Sequence, residues 1–119
     1  MAERQTAGRG RLGRQWQSAP AASLTFSLSL PVDRPDWSGL SLAVGVALAD
    51  ALDPASARSG APRIGLKWPN DLWIIGPQGG RKLGGILIES VLAGPNRLAV
   101  VGVGLNIAPL PAGAPAEFT

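Results

Sequence analysis

The sequence predicts an α+β domain in which one main helix packs on a mixed, mostly antiparallel sheet, and three observations support this fold class. Leu24–Leu30 alternates strictly between apolar and small polar residues, which is the period of a half-buried strand. Residues 40–52 repeat leucine or valine at every fourth position, as on one face of a helix. Gly/Pro turns then divide residues 64–105 into four short apolar runs, which is typical of strands that follow one another in a sheet.

The chain is expected to begin with a loop and a strand. Residues 1–20 show neither the strand period nor the helix period, and the Arg/Gly-rich stretch Thr6–Trp16 is predicted to be a loop that is mobile without a ligand. A strand follows at Leu24–Leu30 and ends before Pro31. Its apolar side chains are predicted to face the core, at Leu24, Phe26, Leu28 and Leu30.

A helix is predicted after Pro35, with Asp36 or Ser38 as its N-cap and Pro54 as the residue that stops it. Its main apolar row is Leu40, Val44, Leu48 and Leu52. A row of small residues is expected to allow close packing, at Ala43, Ala47 and Ala51. Residues 55–62 are predicted to be a loop of small residues. Because a single helix covers one face of such a sheet, another face is expected to lack its cover, and an incomplete domain is predicted.

Four more strands are predicted, at residues 64–68, 72–75, 83–90 and 98–105. The turns between them are rich in glycine, proline and asparagine, at Pro69–Asn70, Gly76–Gly80 and Ala93–Asn96. The nearly continuous apolar run of the last strand is typical of a central position in a sheet. The tail Ala108–Pro115 contains too much proline to form either a helix or a strand.

Composition restricts the chemistry that the chain can perform. The 119 residues include no cysteine and no histidine, which excludes disulfides, thiolate nucleophiles, zinc sites of the usual kind and Ser-His pairs. Any reaction must rely on Arg, Lys, Asp, Glu, Asn and main-chain amides, an inventory that suits phosphate or carboxylate substrates. No apolar run reaches the roughly 18 residues of a membrane span and no signal peptide is visible, so a cytoplasmic location is expected.

Polar side chains gather around two turns of the predicted sheet. Lys67-Trp-Pro-Asn-Asp71 places an amide and a carboxylate on a rigid proline turn, and Lys82 precedes paired glycines. Main chain without side chains beside such groups suits a charged ligand, and Asp71 suits Mg²⁺ that is bound through substrate phosphates. The alternative is that Asn70 and Asp71 only cap a turn and that Lys82 is a surface cation.

The N-terminal loop is basic, with four arginines between residues 4 and 14 in a chain of net charge +3. Gly8–Gly13 matches the G-x-G-x-x-G pattern of dinucleotide sites, but no strand precedes it and no sufficiently long helix follows, which disfavours that assignment. The loop is expected either to fold over an anionic ligand with its guanidinium groups and main-chain amides, or to be a solvated basic segment. Trp16 is either an anchor for this loop or a core residue.

Four motifs follow one another along the chain, at Gln5–Trp16, Lys67–Leu72, Arg81–Glu89 and Gly102–Ile107. Together and in this order they resemble the catalytic domain of biotin protein ligases, over nearly the whole chain except residues 55–62 and the tail. The resemblance implies a class II aminoacyl-tRNA synthetase/biotin synthetase-like fold. It also implies an ATP- and Mg²⁺-dependent ligase for protein modification. Such an enzyme activates biotin as the acyl adenylate biotinyl-5′-AMP and transfers it to a lysine of a biotin carboxyl carrier protein.

The resemblance also assigns roles to individual residues. Lys82, Arg11 and Arg14 would be catalytic, with Lys82 bridging the biotin carboxylate and the α-phosphate, and the loop Gly8–Arg14 would order over the adenylate. The biotin site would comprise Gln5, Gly8, Arg9, Arg11, Lys82, Gly85, Ile86 and Leu87, of which the last two would line an apolar slot. The nucleotide site would comprise Arg14, Lys67, Trp68, Asn70, Asp71 and Asn106. Asp71 would also be the metal ligand.

By the same resemblance, residues 1–119 are the central part of a catalytic domain, without the upstream strand, C-terminal helices and small β-domain of the family. No DNA-binding domain and no membrane attachment are expected, and a homodimer is compatible with the resemblance. Lipoate ligase and octanoyltransferase are alternatives, although the Gly-Arg loop and Lys67–Asp71 fit biotin better. A non-catalytic remnant that binds biotin or a nucleotide is another. Nucleic-acid binding by the basic arm would require interleaved aromatics, and Trp16 alone is present there.

Overall fold

The computed structural model describes residues 1–109 and Ala112, so most of the tail predicted at Ala108–Pro115 lies outside the described residues. A short 3-10 turn at Arg11–Gly13 precedes the regular elements. The strands are β1 (Ser23–Pro31), β2 (Ile64–Lys67), β3 (Asp71–Ile74), β4 (Arg81–Ala93) and β5 (Asn96–Asn106). The helices are α1 (Leu40–Leu52) and α2 (Ser56–Ser59). Neither of these two helices is long and apolar enough to cross a membrane.

The five strands form one sheet in the order β1-β5-β4-β3-β2, and every neighbouring pair is antiparallel. All five predicted strands are confirmed, although β4 extends well beyond its predicted ends. β4 and β5 form a long hairpin that turns at Gly94, where the φ of 61° favours glycine. β5 lies between β1 and β4, which confirms the central position predicted from its apolar run. The predicted α+β class is therefore confirmed.

Side-chain alternation gives the sheet two different faces. One face carries the hydrophobic core, whose buried residues are Leu72, Ile86, Val101, Val103 and Leu105. α1 packs on this face across β2, β3 and β4. On the other face, Gly85 of β4 stands opposite Gly104 of β5. The helix thus covers the apolar side and leaves the glycine side to the N-terminal loop.

Gly45 is the buried residue of α1 and packs closely on the sheet. A Cβ added there would lie 2.8 Å from Leu66 Cδ2, so only glycine fits without a shift of that side chain. The prediction that a row of alanines provides the close packing is wrong, because Ala43, Ala47 and Ala51 are all exposed. Leu52, the last member of the predicted apolar row, is 44% exposed. The helix residues that pack beside Gly45 are Val44, Leu48 and Ala49.

The apolar side of β1 is only partly covered. Leu24 and Phe26 pack against the core as predicted, but Leu28 and Leu30 are 52% and 39% exposed. Their predicted burial is wrong because α1 makes its main contacts with β2, β3 and β4 rather than with β1. Strand alternation fixes which face a side chain takes, but not whether another element lies over that face. These exposed side chains lie on the same face of the sheet as α1, whereas the prediction of missing cover concerned another face.

The start of α1 also differs from its prediction. The helix begins at Leu40 after Gly39, whose φ is 78°, and it has no side-chain N-cap. Asp36 is not the cap, since its Oδ1 accepts a hydrogen bond from Ser38 N at 2.8 Å in a turn before the helix. The predicted end at Leu52 is confirmed. Within the predicted loop 55–62, the single helical turn α2 was not expected.

A buried carboxylate joins the end of α1 to the start of β2. Asp53 is 2% exposed, and its Oδ2 accepts a hydrogen bond from Arg63 N at 2.8 Å. Its Oδ1 accepts two more from the Arg63 guanidinium, at 3.0 and 3.2 Å. These interactions, chiefly the main-chain N–H of Arg63, hold the pKa of Asp53 below its ordinary value of 3.8 in spite of burial.

Asp53→Asn should lower the free energy of unfolding at neutral pH and make less difference in acid. A carboxyl with a lowered folded-state pKa stabilises the fold above its unfolded pKa, and this contribution is lost as the pH falls through the folded-state value. The difference between parent and variant should therefore shrink below about pH 3.8. Urea unfolding between pH 7 and pH 3 measures this, with the exposed Asp50→Asn as control. A difference that stays constant with pH would contradict the assignment.

Candidate functional site

A cavity of about 1380 Å³ lies on the glycine face of the sheet, opposite α1. Its floor is formed by the middle of β1, β3, β4 and β5, and its wall by the loop that precedes β1. The four motifs noted in the sequence therefore meet at this cavity through at least one residue each. They are separated by up to a hundred residues along the chain, and the antiparallel sheet brings them together.

Trp16 lies directly on the main chain at the floor of the cavity. A Cβ added at Gly104 would clash with the indole, lying only 2.8 Å from Trp16 Nε1 and 2.5 Å from Cε2. A Cβ at Gly85 would lie 3.6 Å from both Trp16 Cζ3 and Asp71 Oδ1. Gly104 thus makes room for the ring on the polar face of the sheet, while a Cβ at Gly85 would make only ordinary contacts with it. Of the two roles expected for Trp16, this position supports an anchor for the loop rather than a place in the main core.

Lys82 points into the cavity and forms an ion pair with Asp71, at 3.1 Å between Nζ and Oδ1. The two side chains are 23% and 24% exposed, so the pair is largely shielded from solvent and is less weakened by salt than an exposed pair. Lys82 Nζ also lies 5.9 Å from the centre of the Trp16 ring, within the range of a cation–π interaction. The alternative that Lys82 is an ordinary surface cation is not supported.

The turn before β3 is fixed to its neighbours by hydrogen bonds. Asn70 Nδ2 donates to the carbonyl of Ile86 at 2.8 Å, and Ile86 N donates to the carbonyl of Asn70 at 2.9 Å. From α1, Ser41 Oγ donates to the carbonyl of Pro69 at 2.9 Å, and the Trp68–Pro69 peptide is cis. Asn70 thus stabilises the turn, as expected from the alternative in which it caps that turn. Asp71 follows on this rigid turn and faces the cavity.

Ile86 and Leu87 take opposite faces of β4, so they cannot both offer side chains to one apolar slot. The Ile86 side chain is 2% exposed and belongs to the core beneath α1. The prediction that its side chain lines the slot is therefore wrong, because adjacent strand residues alternate. Leu87 is on the cavity face, opposite Gly102 of β5.

Trp73 and Trp68 extend the cavity lining beyond the ion pair, and Asn106 lies next to it. Lys67 Nζ lies 4.2 Å from the centre of the Trp73 ring. Trp73 was not predicted as a site residue, although its place two residues after Asp71 on the same strand put it on the same face. Asn106 Nδ2 donates a long hydrogen bond of 3.4 Å to the carbonyl of Lys82, and Asn106 Oδ1 is buried without a partner among the described residues. Trp68 is 78% exposed at the rim.

The loop that covers the cavity is a small hairpin. Trp16 N donates to the carbonyl of Gly8 at 2.9 Å, and Gly10 N donates to the carbonyl of Arg14 at 2.7 Å. Its tip is left-handed at Leu12 and Gly13, with φ of 57° and 74°. The loop leads directly into β1, with no helix in between. In a dinucleotide site the glycine-rich turn opens a helix, so this arrangement agrees with the assignment that Gly8–Gly13 is not such a site.

The side chains that line the cavity carry an excess of positive charge. Five are cationic and two are carboxylates: Arg9, Arg11, Arg14, Lys67, Lys82, Asp71 and Glu89. Asp71 is paired with Lys82, and Glu89 is paired with Arg9 at 3.3 Å. Within the described part of the chain, Arg11, Arg14 and Lys67 have no carboxylate within salt-bridge distance. The cavity is therefore suited to a ligand with several negative charges.

No preformed metal cage was found among residues 1–109 and Ala112, where no three acidic, cysteine or histidine side chains form a group that could hold an ion. Asp71 is a single carboxylate that faces the cavity. Mg²⁺ commonly binds through one or two carboxylates together with the phosphates of its substrate. The donor set thus fits an ion that arrives with a polyphosphate rather than a resident metal.

Comparison with known proteins agrees with this geometry. The model of the Biotin/lipoate A/B protein ligase family matches residues 1–106. A Biotin--[acetyl-CoA-carboxylase] ligase from Mycobacterium tuberculosis is 46% identical in an alignment of 114 positions that covers 93% of this chain and 40% of that protein. The Bifunctional ligase/repressor BirA of Salmonella typhimurium is 39% identical in an alignment of 111 positions that covers 91% of this chain and 32% of that protein.

A solved structure of a mutant biotin protein ligase from Aquifex aeolicus, in complex with biotin, is similar with a TM-score of 0.64 and 33% identity. The similarity covers 92% of this chain and 43% of that one. The predicted class II synthetase-like fold is confirmed by this neighbour. The chain spans less than half the length of each of these three relatives.

Proposed function

Because the chain belongs to the Biotin/lipoate A/B protein ligase family, we propose that its cavity is the site at which biotin and ATP form biotinyl-5′-AMP and pyrophosphate. The biotinyl group would then pass to a lysine of a biotin carboxyl carrier protein. The observation that carries the proposal is Lys82, an inward-pointing cation beside bare glycine main chain in a cavity with excess positive charge. Residues 1–119 would be the central part of the catalytic domain of such a ligase.

The proposed activation joins two anions. An oxygen of the biotin carboxylate attacks the α-phosphorus of ATP, the bond from that phosphorus to the bridging oxygen breaks, and pyrophosphate leaves. Lys82 would lie between the carboxylate and the α-phosphate, where its charge reduces their repulsion and stabilises the charge that develops on the phosphoryl oxygens. No side-chain nucleophile is needed, which agrees with a chain that has neither cysteine nor histidine.

The proposed transfer needs the adenylate to be held until the acceptor arrives. The acceptor lysine, as a neutral amine, attacks the carbonyl of the mixed anhydride, the bond from the carbonyl carbon to the phosphate oxygen breaks, and AMP leaves. The amine proton is released to solvent or to the departing phosphate. Main-chain amides and arginines of the loop Gly8–Arg14 would shield the anhydride from water in the meantime.

The cavity would divide between the two substrates on either side of Lys82. Leu87 and the ring of Trp16 would bound the apolar biotin end, together with Gln5, Arg9, Arg11 and Gly85. Gly8 would act through the base of the loop, where its carbonyl accepts a hydrogen bond from Trp16 N. Ile86 would contribute only through its main chain. The nucleotide end would comprise Arg14, Lys67, Trp68, Asn70, Asp71 and Asn106, all of which border the cavity or its rim except Asn106, whose amide reaches the Lys82 carbonyl.

Mg²⁺, when bound with ATP, would neutralise phosphate charge and orient the pyrophosphate leaving group. Asp71 is the residue that we propose for it. The Asp71 carboxylate would hold the ion, and Lys82, which is paired with Asp71 in this structure, would bind the substrate anions. A cytoplasmic location and a homodimer remain predictions.

Biotin is favoured over lipoate as the substrate. The matching family includes both kinds of enzyme, but relatives at 46% and 42% identity carry biotin-ligase names, as does the structural neighbour. Nucleic-acid binding is disfavoured, because three of the four N-terminal arginines line the cavity.

Calorimetric titration of biotin, with and without MgATP, is the experiment that tests the proposal. We expect saturable heat, tighter apparent binding when MgATP is present, and no such response to lipoic acid. The reason is that the adenylate would fill both ends of a cavity that biotin alone fills in part. No heat from a chain that circular dichroism shows to be folded would contradict the proposal and favour a remnant without activity. Binding of lipoic acid instead would favour the alternative enzymes.

A further inference from the structure

The loop over the cavity is held together by its own hydrogen bonds. Gly8 and Trp16 are joined at its base, Arg9 pairs with Gln15 in a β-bridge, and Gly10 bonds to Arg14 near the tip. All of these contacts are internal to the loop. They fix its shape but not its orientation over the sheet, so a change of orientation would move the loop as one body.

This hairpin contacts the sheet at its base and again further along. At the base, the Trp16 ring rests on Gly104 and lies 5.9 Å from Lys82 Nζ of β4. Further along, one guanidinium nitrogen of Arg9 lies 3.3 Å from both carboxylate oxygens of Glu89 on β4. Among the described residues this is the only ion pair that joins the loop to a strand. The residues of the tip itself, from Arg11 to Arg14, are exposed.

We infer that Glu89 is a positioning residue of the proposed ligase, which acts through Arg9 to hold the loop closed over the adenylate. Glu89 stands on the cavity face of β4, two residues beyond Leu87. A second cavity of about 380 Å³ lies between the loop tip and these two strand residues, so the ion pair bridges a gap that little else fills. The retention of the adenylate rests on the proposed function and is the functional part of this inference. The structural part, that the Arg9–Glu89 pair holds the loop on the sheet, does not depend on that function.

The strength of the contact sets the size of the expected effect. The Arg9 and Glu89 side chains are 71% and 42% exposed, and exposed ion pairs contribute little to stability. Removal of the pair should therefore leave the fold intact and raise the population of the open loop by about two- to fivefold. A change of this size matters for an intermediate that must be retained until an acceptor arrives.

Limited trypsin digestion of the chain without ligand tests the structural part. Glu89→Gln keeps the size of the side chain and removes its charge, and it should speed cleavage after Arg11 and Arg14 about two- to fivefold, since proteolysis follows the open population. Arg9→Gln should have the same effect at those two sites, and the double variant should add nothing further. Asp50→Asn on α1 is the matched control and should cleave like the parent chain.

Exchange of the two charges is the decisive variant. Arg9→Glu with Glu89→Arg should restore slow cleavage after Arg11 and Arg14, and the advantage should fade near 1 M salt, where the Debye length is about 3 Å. Unchanged cleavage in Glu89→Gln, or failure of the exchanged pair to restore protection, would overturn the inference.

The functional part is measured as escape of the adenylate. With biotin and MgATP present, Glu89→Gln should release biotinyl-5′-AMP into solution about two- to fivefold faster, with little change in its rate of formation. Equal release from parent and variant would overturn this role. If biotin and MgATP give no protection from trypsin even in the parent chain, the proposed function fails, while the effect of Glu89→Gln without ligand still decides the loop contact.

Discussion

Lys82→Ala is expected to slow formation of biotinyl-5′-AMP by about 10²- to 10³-fold, the usual cost of losing a donor to developing negative charge. The effect has two physical sources. The ammonium group that would lie between the biotin carboxylate and the α-phosphate is lost. The Asp71 carboxylate, 3.1 Å from Lys82 in this structure, is then left facing both anions without compensation. Release of pyrophosphate at saturating biotin and MgATP measures the rate.

Arg81→Ala is the matched control for this prediction. Arg81 immediately precedes Lys82 on β4, carries the same charge and is exposed outside the cavity lining. Both variants change the net charge of the chain equally, so a comparable loss of rate in both would mean that long-range charge, and not the position of Lys82, matters. Unchanged adenylate formation in Lys82→Ala would remove Lys82 from the mechanism that we propose.

The strands of this fold could be predicted because their signals are local. Alternation in Leu24–Leu30 and the apolar run of β5 depend on residues next to one another in sequence. The predictions that were wrong concern how the helix and the strands pack against one another. Leu28 has the pattern of a core residue but is exposed, because α1 packs mainly on β2, β3 and β4, where Gly45 fits against Leu66. No local pattern contains that information.

The candidate site could be predicted in part for the same reason. The motifs identified which segments carry the site, and strand alternation could have placed Ile86 in the core and Trp73 in the cavity. The pairing of Arg9 with Glu89 could not be anticipated, since the two residues are 80 positions apart and their contact depends on the orientation of a loop. Sequence indicates which charges are present, while the fold determines which of them neutralise one another.

Gly104→Ala is expected to destabilise the chain by about 1–3 kcal/mol, as is usual when a methyl group is forced into a filled space. The added Cβ would overlap the Trp16 ring, which must then leave its place on the main chain. The base of the loop would move with it, so biotin affinity should fall as well. Denaturant unfolding gives the stability, and calorimetric titration of biotin gives the affinity.

Gly102→Ala is the matched control, since it lies on the same strand and face but has more space. The nearest atoms to a Cβ there are the Leu87 carbonyl oxygen at 3.4 Å and Ser27 Oγ at 3.9 Å, which are ordinary contacts. Its stability should therefore stay close to that of the parent chain. In a Trp16→Ala background, Gly104→Ala should destabilise the chain much less, because the clashing ring is gone. The difference between its effects in the two backgrounds is the coupling energy of Trp16 and Gly104. If Gly104→Ala destabilises the Trp16→Ala chain as much as it destabilises the parent chain, the need for glycine comes from the sheet itself and not from the contact with Trp16.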